Sequence, residues 1–163
     1  MILSVMCDQL MAQKFRLGIL LLTVLGSLAI PFTARAGLMS DLTVEINGLK
    51  NRKGQLCVSV FASSKGFPSR AANALQNQCV PITDKSMLVT FKNLKPGTYG
   101  VSVLHDIKGD RKIHRNFLGI PTDGFGFSRN PTILTGPPKF EDSVFFVAGS
   151  NTNIQIQLMY LGG

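Results

Sequence analysis

The residues best equipped for chemistry lie between His105 and His114, the only two histidines of the chain. His105 and Asp106 are adjacent, and Asp110 lies between them and His114. A histidine beside carboxylates is raw material for general acid–base work, because its unperturbed pKa sits near neutrality. Alternating oxygen donors can also hold a divalent cation. Both readings meet obstacles. Successive strand residues point to opposite faces of a sheet, so His105 and Asp106 on one strand are poorly placed to pair directly. Lys108, Arg111, Lys112 and Arg115 surround Asp106 and Asp110, whereas a Ca²⁺ site gains from negative charge. No catalytic residue, metal ligand or cofactor is assigned. The chain has no Gly-x-Ser-x-Gly elbow, no His-Glu-x-x-His pair and no P-loop. An enzyme is therefore the less favoured class. Its form would be a hydrolase-like or metal-dependent activity centred on His105, Asp106 and Asp110.

A binding module fits the same region better. After Asp106 the pattern stays irregular for more than thirty residues, to Asp142. Loops beyond about 12–15 residues are uncommon inside compact domains and are usually functional or disordered. This one carries Phe117, Phe125, Phe127 and Phe140, too aromatic for a disordered linker, so it should be packed. The candidate binding residues are His105, Asp106, Asn116, Phe125, Phe127, Asn130, Phe140 and Asp142. Phe125, Phe127 and Phe140 either line a small apolar pocket or close down as a lid on the sheet edge.

The elements that hold this loop read as strands. Leu42, Val44 and Ile46 alternate with polar residues, as a half-buried strand does. Leu56 to Phe61 is apolar on both faces and so central; with the polar turn from Gly48 to Gly54 the two runs read as a hairpin. Ser69 can cap a short helix from Arg70 to Asn77. Strands follow at Cys79–Thr83 and Met87–Lys92, with Asp84-Lys85 as the turn between them. A Pro96-Gly97 turn then leads into Tyr99–His105, with Tyr99 expected to be buried and its hydroxyl bonded. Two more strands, Ser143–Val147 and Thr152–Tyr160, close the chain. About seven strands, at most one short helix and no βαβ rhythm indicate an all-β antiparallel sandwich.

These residues also resemble a family. The pieces are Val60-Phe61, Leu94-x-Pro96-Gly97-Thr98-Tyr99, His105-Asp106, Asn116-x-x-Gly119-Ile120-Pro121, Gly124-Phe125-Gly126-Phe127-Ser128-x-Asn130, Gly136-Pro137-Pro138-x-Phe140-x-Asp142 and Ile154-x-Ile156-x-Leu158-x-Tyr160. Together they resemble the bacterial domain-of-unknown-function family 2141. That resemblance implies an exported immunoglobulin- or prealbumin-like sandwich and brings no biochemical activity. Where the family usually carries an acidic, Asn-rich run resembling a calcium loop, this chain has Asp106, Lys108, Asp110 and His114. Prealbumin-like hydrolases end in Tyr-Arg-Gly-Ser; this chain ends Tyr160-Leu161-Gly162-Gly163.

The N-terminus reads as an export signal spanning residues 1–36. Lys14 and Arg16 precede an apolar run from Leu17 to Ile30, and Ala34-Arg35-Ala36 is an A-x-A cleavage site. The run is short for a membrane span, which needs about 20 residues, so the product, residues 37–163, should not be an integral membrane protein. Met11 would begin a more typical signal than Met1 does. The whole chain has 17 Lys and Arg against 9 Asp and Glu. Because the basic residues are mostly spread singly, this excess reads first as a solvated surface; in an exported protein a partner for it would be an anionic envelope component or a protein rather than nucleic acid.

Export also favours a Cys57–Cys79 disulfide. Simple chain reversals would gather Lys50–Lys53, Asp84-Lys85 and Lys108–Arg115 at one basic end. With a strand starting at Cys79, however, the same reversals would hold the two cysteines too far apart to bond. The bridge and the single basic end therefore stand as competing expectations, and the bridge is preferred.

Overall fold

Apolar residues at every second position give each strand one face to bury, and the strands assemble so that those faces meet. The computed structural model describes residues 39–134 and 136–162. Its strands are β1 (Ser40–Asn47), β2 (Gln55–Phe61), β3 (Gln76–Pro81), β4 (Met87–Leu94), β5 (Gly97–Asp106), β6 (Gly124–Phe127), β7 (Val144–Val147) and β8 (Asn151–Gln157). One helical turn, α1 (Phe140–Ser143), precedes β7. The expected export segment, 1–36, lies outside the described residues. No helix among those described is long and apolar enough to cross a membrane.

The strands form two sheets, β4-β1-β8 and β3-β2-β5-β6, with β7 also on β5. This is the expected all-β sandwich. β7 and β6 share one edge of β5, pairing with Gly97–Gly100 and Ser102–His105 respectively. β8 runs parallel to β1, and the other strand pairs are antiparallel. Leu42, Val44 and Ile46 of β1 meet Leu56, Val58 and Val60 of β2 and Val101 and Val103 of β5 in one core. Burying such a side chain fully contributes about 1.5–3 kcal/mol.

The turn at Pro96-Gly97 carries the chain from one sheet into the middle of the other. Tyr99 is buried, and its hydroxyl donates to the Lys95 carbonyl at 2.8 Å. This tyrosine bonds back to the backbone just upstream, as sandwich corner tyrosines do.

Four local expectations need correction. First, β1 and β2 do not form a hairpin. They belong to opposite sheets, and the Gly48–Gly54 segment arches between them. Alternation reveals which face a strand buries, not which strand it bonds. Second, the helix expected from Arg70 to Asn77 shrinks to one 3-10 turn, Ala71–Asn73, without a side-chain cap. β3 begins at Gln76 instead of Cys79, bonding opposite Val60. Third, the early start of β3 removes the conflict over the cysteines. Cys79 falls directly opposite Cys57, and the two are disulfide-bonded. Simple reversal and bridge therefore coexist. Arg52 reaches Asp84 at 3.4 Å, so the turns before β2 and before β4 meet at one end. The chain leaving β5 starts there too, since Asp106 pairs with Gln55. Fourth, the long loop is not irregular throughout, because it contains β6 and α1. Gly124 and Gly126 hid the strand, since glycine is depleted in strands. Here it is required: a Cβ would stand 2.4 Å from the Tyr160 ring at Gly124 and 2.7 Å from Ile156 at Gly126.

Candidate functional site: a groove on the outer face of the larger sheet

Residues paired directly across a sheet share a face. On β2, β5 and β6 this places Cys57, Leu104 and Phe125 in one row and Ser59, Ser102 and Phe127 in the next. Cys79 and Asn77 of β3 continue the two rows. Both rows lie on the face turned away from the core.

One end of this face is covered by aromatics. Phe67 packs edge-on against Phe61 and Phe140, at centroid distances of 5.3 and 5.5 Å, and lies 6.1 Å from Phe127. Phe125 and Phe127 are 5.8 Å apart. Gly100 makes room, because a Cβ there would stand 2.9 Å from the Phe140 ring. Ser102 Oγ donates to the Pro68 carbonyl at 2.8 Å and pins the covering segment. Phe125, Phe127 and Phe140 thus pack on the sheet, as the sequence suggests. Phe117 does not: it is 94% exposed.

Beyond this cover the face opens into a groove of about 600 Å³. Its floor is the disulfide with Ser59, Leu104, Phe125 and Phe127. One wall carries Ile113 and Leu118, the other Ile133 and Leu134. Leu118 and Leu134 are largely exposed, so the groove presents apolar surface at its rim. The size falls within the range of about 300–1,000 Å³ usual for ligand pockets. Among the described residues the charged side chains in its lining are Arg111 and Arg115, with no carboxylate.

The residues with chemical potential sit elsewhere. His105 is fully buried on the core side. Its Nε2 lies 2.9 Å from the Lys53 carbonyl and its Nδ1 lies 2.6 Å from the Tyr160 hydroxyl. A carbonyl can only accept, so Nε2 carries the hydrogen and Nδ1 accepts from Tyr160. That hydroxyl also accepts from the Lys50 backbone N–H at 3.3 Å, and Lys50 Nζ stands 4.8 Å over the ring. Burial raises the Tyr160 phenol above its ordinary value, against a smaller opposing effect from the Lys50 N–H.

Asp106 is fully buried. It takes Gln55 Nε2 at 2.8 Å and the backbone N–H groups of Gly109, Asp110 and Arg111 at 2.8, 3.2 and 2.8 Å. Burial pushes its carboxyl up, but the hydrogen bonds from Gln55, Arg111, Gly109 and Asp110 together outweigh that and hold it below the ordinary value. Both oxygens organise the loop. His105 and Asp106 are not brought together into a dyad. Asp110 instead meets His114, whose Nε2 lies 3.2 Å from Asp110 Oδ2 and whose Nδ1 lies 2.8 Å from Asp123 Oδ2. Among the described residues no group of three or more His, Cys, Asp or Glu is arranged to hold a metal ion.

The remaining polar candidates hold backbone. Asn116 Oδ1 accepts from the N–H groups of Leu118 and Ile120, both at 3.0 Å. Asn130 donates to the Gln155 carbonyl and accepts from the Gln157 N–H, clamping β8. Asp142 Oδ2 accepts from Lys139 N–H at the start of α1. Of the eight candidates, Phe125 and Phe127 line the groove. The sequence reading missed Phe67, Leu104, Leu118 and Leu134 as groove or cover residues, and Tyr160 as the partner of His105. Tyr160 had a usable signal: it alternates onto the Ile156/Leu158 side, and His105 onto the Val101/Val103 side.

No curated protein and no solved structure matches the chain. A family model described as an uncharacterized protein conserved in bacteria, DUF2141, matches residues 44–155. The match runs from within β1 to within β8, so the chain belongs to the DUF2141 family.

Proposed function

We propose that the protein is an exported, non-enzymatic binding module whose site is the groove on the outer face of the β3-β2-β5-β6 sheet. The observation that carries this reading is the groove itself, an apolar concavity of about 600 Å³ on a rigid, disulfide-linked floor. A rigid sandwich presenting a shaped loop is a common plan for recognition. The buried positions of His105 and Asp106 favour binding over catalysis, because each is held by hydrogen bonds within the fold. The apolar run and A-x-A site at the N-terminus support the export part of this reading. An anionic envelope component suits the basic end formed by Lys50–Lys53, Lys85, Lys108 and Arg111–Arg115.

The test uses an apolar fluorescent probe, N-phenyl-1-naphthylamine, and the double variant Leu118→Asp/Leu134→Asp. Both side chains are largely exposed, so the substitutions should leave the fold intact. The purified protein should bind the probe saturably at one site, and the double variant should bind about tenfold or more weakly. Equal binding by the two proteins would remove the groove as the site.

A further inference from the structure

We infer that the groove takes a single-chain amphiphile with an anionic head, specifically a long-chain fatty carboxylate, and that Arg111 and Arg115 receive the carboxylate. This rests on the groove being the binding site.

The charge pattern of the lining carries the argument. Among the described residues the charged residues that line the groove are Arg111 and Arg115, and no Asp or Glu is among the lining residues to balance them. Arg115 is held in place, with Nη1 donating to the Gly119 carbonyl at 2.8 Å. A guanidinium has five N–H donors in a fixed fork, so most of its donors remain available. The Arg111 guanidinium has no hydrogen-bond or ion-pair partner among the described residues. Planar guanidiniums match carboxylates in a two-bond geometry. The rest of the lining combines apolar residues such as Leu104, Leu118, Phe125 and Leu134 with the uncharged polar residues Ser59, Ser69, Asn77, Gln78 and Ser102, and its apolar part suits a hydrocarbon tail.

Backbone conformation points the same way. Arg111 is in the left-handed region, at φ 60°. Its N–H serves Asp106, and a glycine would serve Asp106 equally with less strain. The turn therefore gives no reason for a side chain here, and the groove does. A methylene group occupies about the liquid volume of a water molecule, roughly 30 Å³. A sixteen-carbon chain then needs roughly 480 Å³, within the groove's 600 Å³.

The experiment compares palmitate with hexadecanol, which has the same tail and no charge, on delipidated protein by competition against the apolar probe. Two variants remove one guanidinium each: Arg111→Gly, which also relieves the left-handed backbone, and Arg115→Gln. Thermal melts confirm that each variant is folded. The expected result is palmitate binding about tenfold or more tightly than hexadecanol, with the ratio falling toward one in Arg111→Gly. Arg115→Gln should lower the ratio as well. Equal affinity for the two ligands in the unmodified protein, or an unchanged ratio in Arg111→Gly, overturns the carboxylate assignment and leaves the groove reading standing. Binding of neither ligand overturns both.

Discussion

Replacing Asp106 by alanine tests whether one carboxylate organises the chain leaving β5. Asp106 accepts from Gln55, Gly109, Asp110 and Arg111, the first being a side-chain amide and the others loop N–H groups. A hydrogen bond to a charged acceptor contributes about 1.5–3 kcal/mol net. The full sum of four would overstate the loss, because Gly109, Asp110 and Arg111 are exposed and can turn to water when freed. Two bonds' worth gives a destabilisation of about 3–6 kcal/mol at pH 7. Asparagine should cost less, since it keeps one acceptor oxygen. The pH dependence has a definite sign. The folded carboxyl lies below its ordinary value because the four hydrogen bonds outweigh burial. Its stabilisation is complete above the unfolded value of about 3.9 and is lost as pH falls through the lower folded value. The gap between native and Asp106→Ala proteins should therefore be widest near neutrality and narrow below about pH 4. Urea denaturation followed by circular dichroism, from pH 7 to pH 2.5, measures both. A variant within about 0.5 kcal/mol of the native protein at pH 7, or a gap that stays constant into acid, refutes the reasoning.

Other perturbations follow from single contacts. Tyr99→Phe loses the bond to the Lys95 carbonyl and should lower stability by about 1 kcal/mol in the same urea assay; no change would mean the corner does not need its hydroxyl. Gly124→Ala drives a Cβ to 2.4 Å from the Tyr160 ring, and the forced shift should destabilise by about 1–3 kcal/mol. A thermal melt matching that of the native protein would show that Tyr160 moves freely. Reduction of the Cys57–Cys79 bridge, which links residues 22 apart, should cost about 3 kcal/mol. Alkylation of the unreduced protein should leave both cysteines unmodified, and label at either would contradict the bridge.

Local chemistry made parts of the structure legible. Pro96-Gly97 followed by alternation from Tyr99 is enough to place a turn, a central strand and a buried tyrosine. Cys57 and Cys79, the two of the three cysteines that lie outside the expected export segment, foretell their bond. Partner choice is another matter. β1 and β2 each show a clean apolar face, yet they meet across the core instead of edge to edge, and periodicity contains no term for that. β6 is hidden by Gly124 and Gly126, whose reason lies in Tyr160 and Ile156, far along the chain in and beyond β8. The groove was less visible still. Its two walls, near Ile113 and Leu134, flank β6 in sequence, and the pairing of β6 with β5 sets them on either side of one face. Asn116, Asn130 and Asp142 are candidates in the sequence because they are polar residues in a loop rich in glycine and proline. Each holds a turn or a strand instead, which is what Asn and Asp side chains do readily beside free backbone groups.

The central claim is that ligands enter over the outer face of the larger sheet. A titration of ¹⁵N-labelled protein with palmitate, followed through amide shifts, tests it most directly. The account predicts saturable shifts at Ser59, Leu104, Phe125 and Leu134, with β1 and the exposed face of β4 unmoved. Shifts confined to the β4-β1-β8 sheet, or no shifts at ligand saturation, would contradict it.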